Sequence, residues 1–289
     1  MAVGRPAAYS DAMPLAYGLI HPVDLTLPDL PPALDRLRIA HVTDLHARAP
    51  RRRHHTIASQ LAAVRFDLLV LTGDYMSYPG DEPAALDALR LILSRPRPRL
   101  GTFGVFGNHD TEDLAAAAAD LPVHWLRNQA HAHPDAPLQL IGLDHKPDAV
   151  ALAQHLAGNG GPADPKVGPD TYPARGPASS GFPLALVHHP HHVPIVAELG
   201  ARVALSGHTH GGQIRTPWNQ PLKNSSPLPL HLTSGLFRHG DTLASVARGV
   251  GESLINLRLF CPPQLPIYTL RRGPLPGQRT AITTPIRHW

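Results

Sequence analysis

The amino-acid sequence predicts an α/β fold, and three observations predict it. From Leu37 onward, short apolar runs rich in β-branched residues alternate with helix-like segments. Polar strings directly follow several of these runs, and side chains in that position emerge at the carboxyl end of a strand, where open α/β sheets build their sites. The chain has 289 residues, of which 43% are hydrophobic and 17% charged, a composition that supports a core and argues against general disorder.

The predicted elements follow in regular order. Strands are predicted at Arg38 to Thr43, Phe66 to Thr72, Thr102 to Phe106, Val123 to Leu126, Leu138 to Leu143 and Leu184 to Val187. Helices are predicted near His54 to Val64, after Asp81, at Asp113 to Asp120 and at Asp148 to Leu156. Beyond His210, Gly and Pro turns separate short strands and indicate an antiparallel sheet, as in layered sandwiches, with strands at Leu230 to Thr233, Leu243 to Ala247 and Ile267 to Leu270.

One domain is the simplest division of the chain, because polar strings from Asp44 to His210 would be separated by any split between them. We predict a proline-rich lead at 1–36, a domain at 37–272 and a tail at 273–289. The 33 prolines cluster in connections, where a fixed φ and a missing donor favour loops. Residues 158–182 are rich in Gly, Pro, Ala, Ser and Asp without periodicity, which predicts a flexible insertion.

Charge and cysteine content restrict partners and compartment. The formal net charge is +4, and 20 histidines add positive charge as the pH falls. The single cysteine, Cys261, lies in an apolar stretch and is predicted to be an inert packed thiol. No segment has the length of a signal peptide or membrane span. The sequence favours a cytoplasmic protein, with peripheral membrane contact left open and the oligomeric state undetermined.

Polar strings recur in a fixed order along the chain: Asp44-Leu45-His46, Gly73-Asp74, Gly107-Asn108-His109-Asp110, His188-His189-Pro190 and Gly207-His208-Thr209-His210. Carboxylate, carboxamide and neutral imidazole are ligands for divalent metals that activate water, and cysteine is absent from every string. Two adjacent cations neutralise the charge of a phosphate ester and lower the pKa of a water between them. The strings therefore predict a two-metal site that hydrolyses phosphate esters with a metal-activated hydroxide.

This set of strings resembles the calcineurin-like metallophosphoesterase family over roughly Leu37 to Leu270, and in particular its bacterial branch of small single-domain phosphohydrolases. The resemblance implies a four-layer α/β/β/α sandwich with two central mixed sheets. It implies two divalent or trivalent ions, with Mn, Fe, Zn and Mg all fitting the ligand types. By this similarity, one ion would be held by Asp44, His46 and His210. The other would be held by Asn108, His188 and His208, with Asp74 bridging the two and His109 protonating the leaving alkoxide.

The sequence departs from the family at Ser77, where many members carry a carboxylate that orients the catalytic imidazole. Asp110, next to His109, is the alternative candidate to orient that imidazole and is counted with His109 as a catalytic candidate. Arg215 and Arg248 are candidates to grip a phosphate oxygen, because guanidinium geometry suits it, although ordinary ion pairs explain them equally well. His189 follows a ligand candidate directly and is expected to approach substrate, or simply to mark the end of a strand.

The remaining histidines receive structural interpretations. His41 lies within a strand pattern and is expected to be a hydrogen-bonded core residue. Solvated positions in loops or at helix ends are predicted for His54, His55, His131, His133, His191 and His192.

The predicted substrate is a phosphorylated small molecule or a lipid-linked phosphate ester, either a monoester or a diester. Some relatives cleave the pyrophosphate of UDP-diacylglucosamine, which is one alternative; a non-catalytic metal-binding module of the same fold is another. Nucleic acid is disfavoured, because no aromatic platform interleaves the basic runs Arg51 to Arg53 and Arg95 to Arg99.

Overall fold

A computed structural model describes residues 19–49, 52–157, 181–276 and 283–287 of the chain. The strands are β1 (Ile20–Leu27), β2 (Arg38–Val42), β3 (Leu68–Thr72), β4 (Thr102–Val105), β5 (His124–Trp125), β6 (Gln129–Ala132), β7 (Leu138–Leu143), β8 (Phe182–Val187), β9 (Val203–Ser206), β10 (Gly235–His239), β11 (Thr242–Val246), β12 (Leu265–Arg272) and β13 (Thr283–Arg287). The helices are α1 (Arg52–Ala63), α2 (Glu82–Leu93), α3 (Glu112–Ala117), α4 (Ala149–Leu156) and α5 (Val193–Glu198).

The strands form two mixed sheets. The first has six strands in the order β1-β12-β2-β3-β4-β5, and the second has seven in the order β13-β10-β11-β9-β8-β7-β6. Strands β2, β3 and β4 are parallel neighbours in the first sheet, and β7, β8 and β9 are parallel neighbours in the second. Each sheet therefore presents a row of strand carboxyl ends at one edge, where the predicted ligands follow.

Three apolar clusters show how the layers stack. One cluster joins residues of both sheets, such as Leu68 and Val70 of β3 with Leu184 and Leu186 of β8. A second packs the other face of the first sheet against α1, α2 and α3. A third packs the other face of the second sheet against α4 and α5. The predicted four-layer α/β/β/α sandwich is confirmed, because helices cover both outer faces of the paired sheets.

Both ends of the described chain form strands, although the sequence predicted irregular segments there. Residues Ile20–Leu27 form β1, which pairs in parallel with β12, although the lead was expected to be loop-like. Pro22 is tolerated there because β1 is an edge strand, where a missing N–H on the open side breaks no ladder bond. At the other end, β13 extends the second sheet beside β10. Most of the predicted insertion, residues 158–180, lies outside the described residues.

The segment after His210 also needs correction. The predicted strand from Leu230 to Thr233 is wrong, since residues Leu230–Leu232 form a 3-10 helix and the strand begins at Gly235. The predicted antiparallel sheet is found only in part. Strand β11 is antiparallel to β10 but parallel to β9, and β12 joins the first sheet between β1 and β2. These strands complete the two central sheets, because their apolar residues can be buried only between layers already formed.

Among the described residues, no helix has both the length and the apolar character needed to cross a bilayer. Cys261 is buried and its thiol is free. The thiol lies 3.3 Å from the carbonyl oxygen of His210, so this cysteine packs directly behind one of the predicted ligands.

Candidate metal centre

Six of the seven predicted ligands converge where the two rows of strand ends meet. Asp44 and His46 follow β2, Asp74 follows β3, and Asn108 follows β4 of the first sheet. From the second sheet, His188 follows β8, and the pair His208 and His210 follows β9. Backbone hydrogen bonds join neighbouring loops: the Asp44 N–H donates to Gly73 O at 3.0 Å, and the Gly207 N–H donates to His188 O at 3.2 Å.

Much of this loop backbone adopts the left-handed conformation. Positive φ values between 44° and 69° occur at Asp44, His46, Asp74, His208 and His210. Such values are uncommon for residues with a side chain and cost free energy unless the surroundings impose them. Strained positions of this kind concentrate at functional sites. The fold therefore maintains unfavourable backbone geometry at the residues that the sequence singles out as ligands.

Asp44, His46 and His210 form one group, in which one ligand atom from each residue lies within 4.8 Å of the others. The Nε2 atoms of His46 and His210 are 3.0 Å apart, and His210 Nε2 lies 3.6 Å from Asp44 Oδ1. All three residues are buried. This group corresponds to the set expected for the first ion.

Asp74 lies between this group and the histidines of the second sheet. Its Oδ2 atom is 3.1 Å from His188 Nε2 and 3.6 Å from His46 Nε2. It also belongs to two further groups that can hold an ion, one with His46 and His109 and one with Asp44 and His188. A side chain in overlapping groups is suitably placed to serve two ions at once.

The second set is less complete than the first. His208 Nδ1 lies 3.3 Å from His188 Nε2, and these residues form a group with His189. His188 Nδ1 donates to Thr72 O at 2.6 Å, and His208 Nε2 lies 3.2 Å from Ser225 O. Asn108 is exposed and stands between Gly107 and His109, whose N–H donates to Asp74 Oδ1 at 2.9 Å. These contacts orient the rings as outer partners of metal ligands commonly do.

Burial keeps most of these imidazoles neutral. It lowers the pKa of His46 and of His208 to about 4. Burial, together with the charges of His46 and Arg258, holds the pKa of His210 well below its usual value. His188 differs: burial acts against its charge, but Asp74 and Asp44 outweigh it and raise the pKa to about 9. Because a metal binds the neutral ring, metal binding at His188 displaces a proton and weakens at acid pH.

The donor set fits divalent metal ions. The Thr72 carbonyl holds the proton of a neutral His188 ring on Nδ1, so the lone pair of Nε2 points at the Asp74 carboxylate. The facing nitrogens of His46 and His210 can likewise share only one proton in the neutral state. A cation among these atoms would bind the lone pairs of these nitrogens and of the carboxylate. Imidazole and carboxylate donors without thiolate suit Mn, Fe, Zn or Mg rather than a structural zinc site.

The hydrogen bonds do not bear out Asp110 as the residue that orients His109. Its carboxylate accepts backbone N–H groups of Asp74, Tyr75 and Gly107 at 2.7–2.8 Å, so it ties the loop after β3 to the loop after β4. His109 Nδ1 instead lies 2.7 Å from Ser77 O. The residue that departs from the family pattern thus orients His109 through its main chain, and its hydroxyl lies 3.3 Å from His46 Nδ1.

The candidate substrate-binding residues differ in what they contact. Arg215 is buried and donates to Gly211 O at 2.7 Å and to Asn219 Oδ1 at 2.8 Å, so its guanidinium supports loop structure. Arg248 also donates to Asn219 Oδ1, at 3.0 Å, while its buried Nε has no hydrogen-bond partner. The ring of His189 lies 4.1 Å from that of His208, centroid to centroid, which places it beside the metal centre.

Two histidine predictions have different outcomes. His41 is a hydrogen-bonded core residue as expected, with Nε2 lying 2.7 Å from Thr72 Oγ1. The solvated position predicted for His54 is wrong, because this side chain is buried on the inner face of α1.

Sequence reasoning missed Arg258. Its NH2 lies 3.3 Å from His210 Nδ1 and donates to Arg248 O at 2.8 Å, and its NH1 donates to His210 O at 3.2 Å. Arg258 therefore anchors the loop behind a ligand imidazole. No motif marks it, since it lies in an apolar run 48 residues beyond its partner.

Two glycines allow the ligand loops to approach each other closely. A Cβ added at Gly107 would collide with the Asp74 carboxylate, and one added at Gly249 would lie 2.6 Å from Asp44 Cβ. Gly249 also has a φ of 68°. Both positions require glycine because another chain segment occupies the space of a side chain.

Two facing mixed sheets carry a carboxylate and imidazole centre at their strand ends, an arrangement suited to metal-dependent hydrolysis of phosphate esters. The profile of the Calcineurin-like phosphoesterase family matches residues 37–212. The chain belongs to this family.

Three of the similar proteins are bacterial. The chain is 25% identical to the metallophosphoesterase YkoQ of Bacillus subtilis (strain 168), with 83% of this chain and 85% of YkoQ covered. It is 27% identical to the metallophosphoesterase YkuE of the same organism, over 71% of this chain and 68% of YkuE. It is 29% identical to the phosphodiesterase YaeI of Escherichia coli (strain K12), over 71% of this chain and 70% of YaeI.

Proposed function

We propose that the chain is a dinuclear phosphoesterase that hydrolyses phosphodiesters without a covalent enzyme intermediate. The observation that carries the proposal is the overlap of the ligand groups, since Asp74 belongs to more than one set of atoms able to hold an ion. The name of YaeI, a phosphodiesterase, makes a diester the first substrate class to test.

The residues divide into two sets around Asp74. Asp44, His46 and His210 would hold one ion, and Asn108, His188 and His208 the other. Two bound cations supply charge neutralisation at phosphorus and a water of lowered pKa. The protein's part is to position the Asp74 side chain that both ions would share, and the Asp110 carboxylate contributes by accepting the Asp74 N–H at 2.8 Å.

His109 is the proposed general acid. The Ser77 carbonyl accepts a hydrogen bond, so the Nδ1 atom of His109 must carry a proton. The other nitrogen, Nε2, is then free to donate a proton to the leaving oxygen, after which the ring is neutral. The ring stands 5.0 Å from that of His46, centroid to centroid, so the donated proton comes from a group beside the first ion set.

The test uses metal-stripped protein supplied with Mn²⁺ or other divalent ions, a nitrophenyl diester and an alkyl diester. His109→Asn should lower turnover of the alkyl diester by about 10²-fold or more, the usual contribution of a general acid. The nitrophenyl diester should lose much less, because its leaving group departs without a proton. The control is His55→Gln, an exposed histidine of α1. Equal losses of turnover on both substrates would contradict the role of His109 as general acid. Tight metal binding by the wild type without turnover of either diester would contradict the proposed phosphoesterase activity.

A further inference from the structure

Most of the exposed large apolar side chains of the described residues are concentrated on two loops. We call this set the apolar loop patch, and it comprises Trp218, Leu222, Leu254, Ile255, Leu257, Leu259 and Phe260. Trp218 is 80% exposed and Leu254 is 69% exposed. Scattered apolar residues are normal on a protein surface, whereas a contiguous patch marks an interaction site.

The two loops are fastened to each other. Ile214 and Leu259 form a parallel bridge, with Arg215 N donating to Leu259 O at 2.9 Å and Leu259 N donating to Gln213 O at 3.1 Å. The Gln213 side chain donates to the carbonyls of Ser253 and Ile255 at 3.1 and 3.0 Å. The two loops of the patch are therefore fixed relative to each other, because side-chain and main-chain hydrogen bonds join them.

Backbone conformation supports a functional reason for these side chains. Leu254 has a φ of 62° and Phe260 a φ of 51°. Glycine or asparagine occupies the left-handed region at less cost than leucine or phenylalanine. The chain places large apolar side chains in solvent at both ends of this segment, at positions where a small residue would be more stable.

The apolar loop patch borders the metal centre. Arg258, which lies between Leu257 and Leu259, reaches back to His210 Nδ1 at 3.3 Å. On the other loop, Leu222 is close in sequence to Ser225, whose carbonyl lies 3.2 Å from His208 Nε2. An occupant of the patch is therefore held next to two imidazoles of the centre.

Basic side chains flank the apolar loop patch. Lys223 is exposed beside Leu222. The start of α1 approaches the second loop, since Arg53 forms an ion pair with Glu252 and its NH1 donates to Val250 O at 3.4 Å. Arg52 is exposed at the same helix end. Apolar side chains with a basic rim match the surface of an anionic bilayer, where the rings and alkyl groups enter and the cations meet headgroups.

We propose that the apolar loop patch docks this protein on an anionic lipid bilayer and brings the metal centre to phosphate esters carried by lipids. A second copy is the less suitable occupant, because a symmetric contact at this patch brings like-charged rims together and covers the approach to the metal centre. The substrate part of the proposal rests on the proposed phosphoesterase activity, whereas the docking part does not.

The test measures co-sedimentation of the full chain with vesicles of phosphatidylcholine, alone or mixed with phosphatidylglycerol. The wild type should bind the mixed vesicles. The triple variant Leu254→Asn, Leu257→Ser, Phe260→Asn should bind them at least about tenfold more weakly, because it loses the inserted apolar surface. Leu230→Ser, which changes an exposed leucine outside the patch, should bind like the wild type. If the triple variant does not fold, Trp218→Ser alone should weaken binding several-fold.

Charge and activity provide the remaining comparisons. Arg52→Gln should weaken binding to mixed vesicles more than Arg90→Gln, an equal charge loss on α2. Asp74→Asn should bind vesicles normally, so failure of the activity is distinguished from failure of docking. The triple variant should still cleave a soluble nitrophenyl diester while losing activity on vesicle-borne phosphodiesters. Docking is overturned if wild type ignores both vesicles, if the triple variant binds normally, or if the patch mutations only dissociate a dimer.

Discussion

Two buried polar clusters lie close together in this protein, and they are built on opposite principles. In the core cluster, His41 Nε2 lies 2.7 Å from Thr72 Oγ1, His41 Nδ1 lies 3.3 Å from the Tyr268 hydroxyl, and that hydroxyl lies 2.7 Å from Ser245 Oγ. Its members are uncharged groups that pair donors with acceptors. In the metal centre, by contrast, imidazole nitrogens and carboxylate oxygens that can each bind a cation face one another.

The comparison shows how the same strands serve stability and function. His41 lies in β2, and Asp44 follows the same strand; Thr72 ends β3, and Asp74 lies just beyond it. Within the strands, regular pairing lets each polar group meet a complementary partner across the sheets. Beyond the strand ends, left-handed turns aim like groups at a common point. We therefore expect the core cluster to be complete without ions and the metal centre to depend on them.

The largest effect is expected when the metal centre is disrupted at its middle. Asp74→Asn removes the carboxylate that two ligand sets share, so it should lower metal content and reduce kcat by roughly 10³-fold or more. Elemental analysis and diester turnover measure the two effects. Asp113→Asn, an exposed carboxylate of α3, should change neither. Full turnover by Asp74→Asn would contradict the prediction, because it would show that the reaction does not need the shared carboxylate of the metal centre.

The next largest effect concerns the core cluster and the pH dependence of the protein's stability. Burial lowers the pKa of His41 to about 3, whereas its unfolded value is about 6.5. The unfolded chain therefore binds an extra proton below pH 6.5, and stability falls as the pH decreases from there toward 3. His41→Gln should remove up to about 1.4 kcal/mol per pH unit from that slope.

Denaturant unfolding between pH 6 and 4 tests this prediction. The free energy of unfolding is compared for the wild type, His41→Gln and His55→Gln, which changes an exposed histidine. An unchanged slope in His41→Gln would mean that the core cluster accepts a proton in the native state, and the contrast between the clusters would then fail.

The smallest effect concerns a contact at the margin of the metal centre. The Ser77 hydroxyl lies 3.3 Å from His46 Nδ1, while its carbonyl orients His109. Ser77→Ala removes only the hydroxyl, so metal affinity should fall about tenfold, as for other outer partners of metal ligands. The dependence of turnover on the leaving group should stay unchanged. Metal titration measures the affinity, and assays with the nitrophenyl and alkyl diesters measure the leaving-group dependence. A changed leaving-group dependence would show that the hydroxyl, not the carbonyl, supports His109.

Local patterns predicted much of the fold and most of the residues that converge at the candidate metal centre. Alternating runs located β2, β3, β4, β7 and β8, because the residues of one strand are neighbours in sequence. Edge strand β1 was missed because Pro22 within it and the prolines that follow it locally favour a loop, and only pairing with β12 makes it a strand. The segment at Leu230 has strand-like composition, yet tertiary packing makes it a 3-10 helix. Short apolar runs carry too little information to decide between such outcomes.

By itself the sequence determined which chemistry is available: carboxylates, a carboxamide and imidazoles placed at strand ends, in an order that resembles one enzyme family. This is local information, since each string is a few residues long. Only the tertiary structure decided that Arg258 stands behind His210, that Ser77 supports His109 through its carbonyl, and that apolar loops border the centre. Those relations join residues far apart in the chain, and their distances are set by how the two sheets pack.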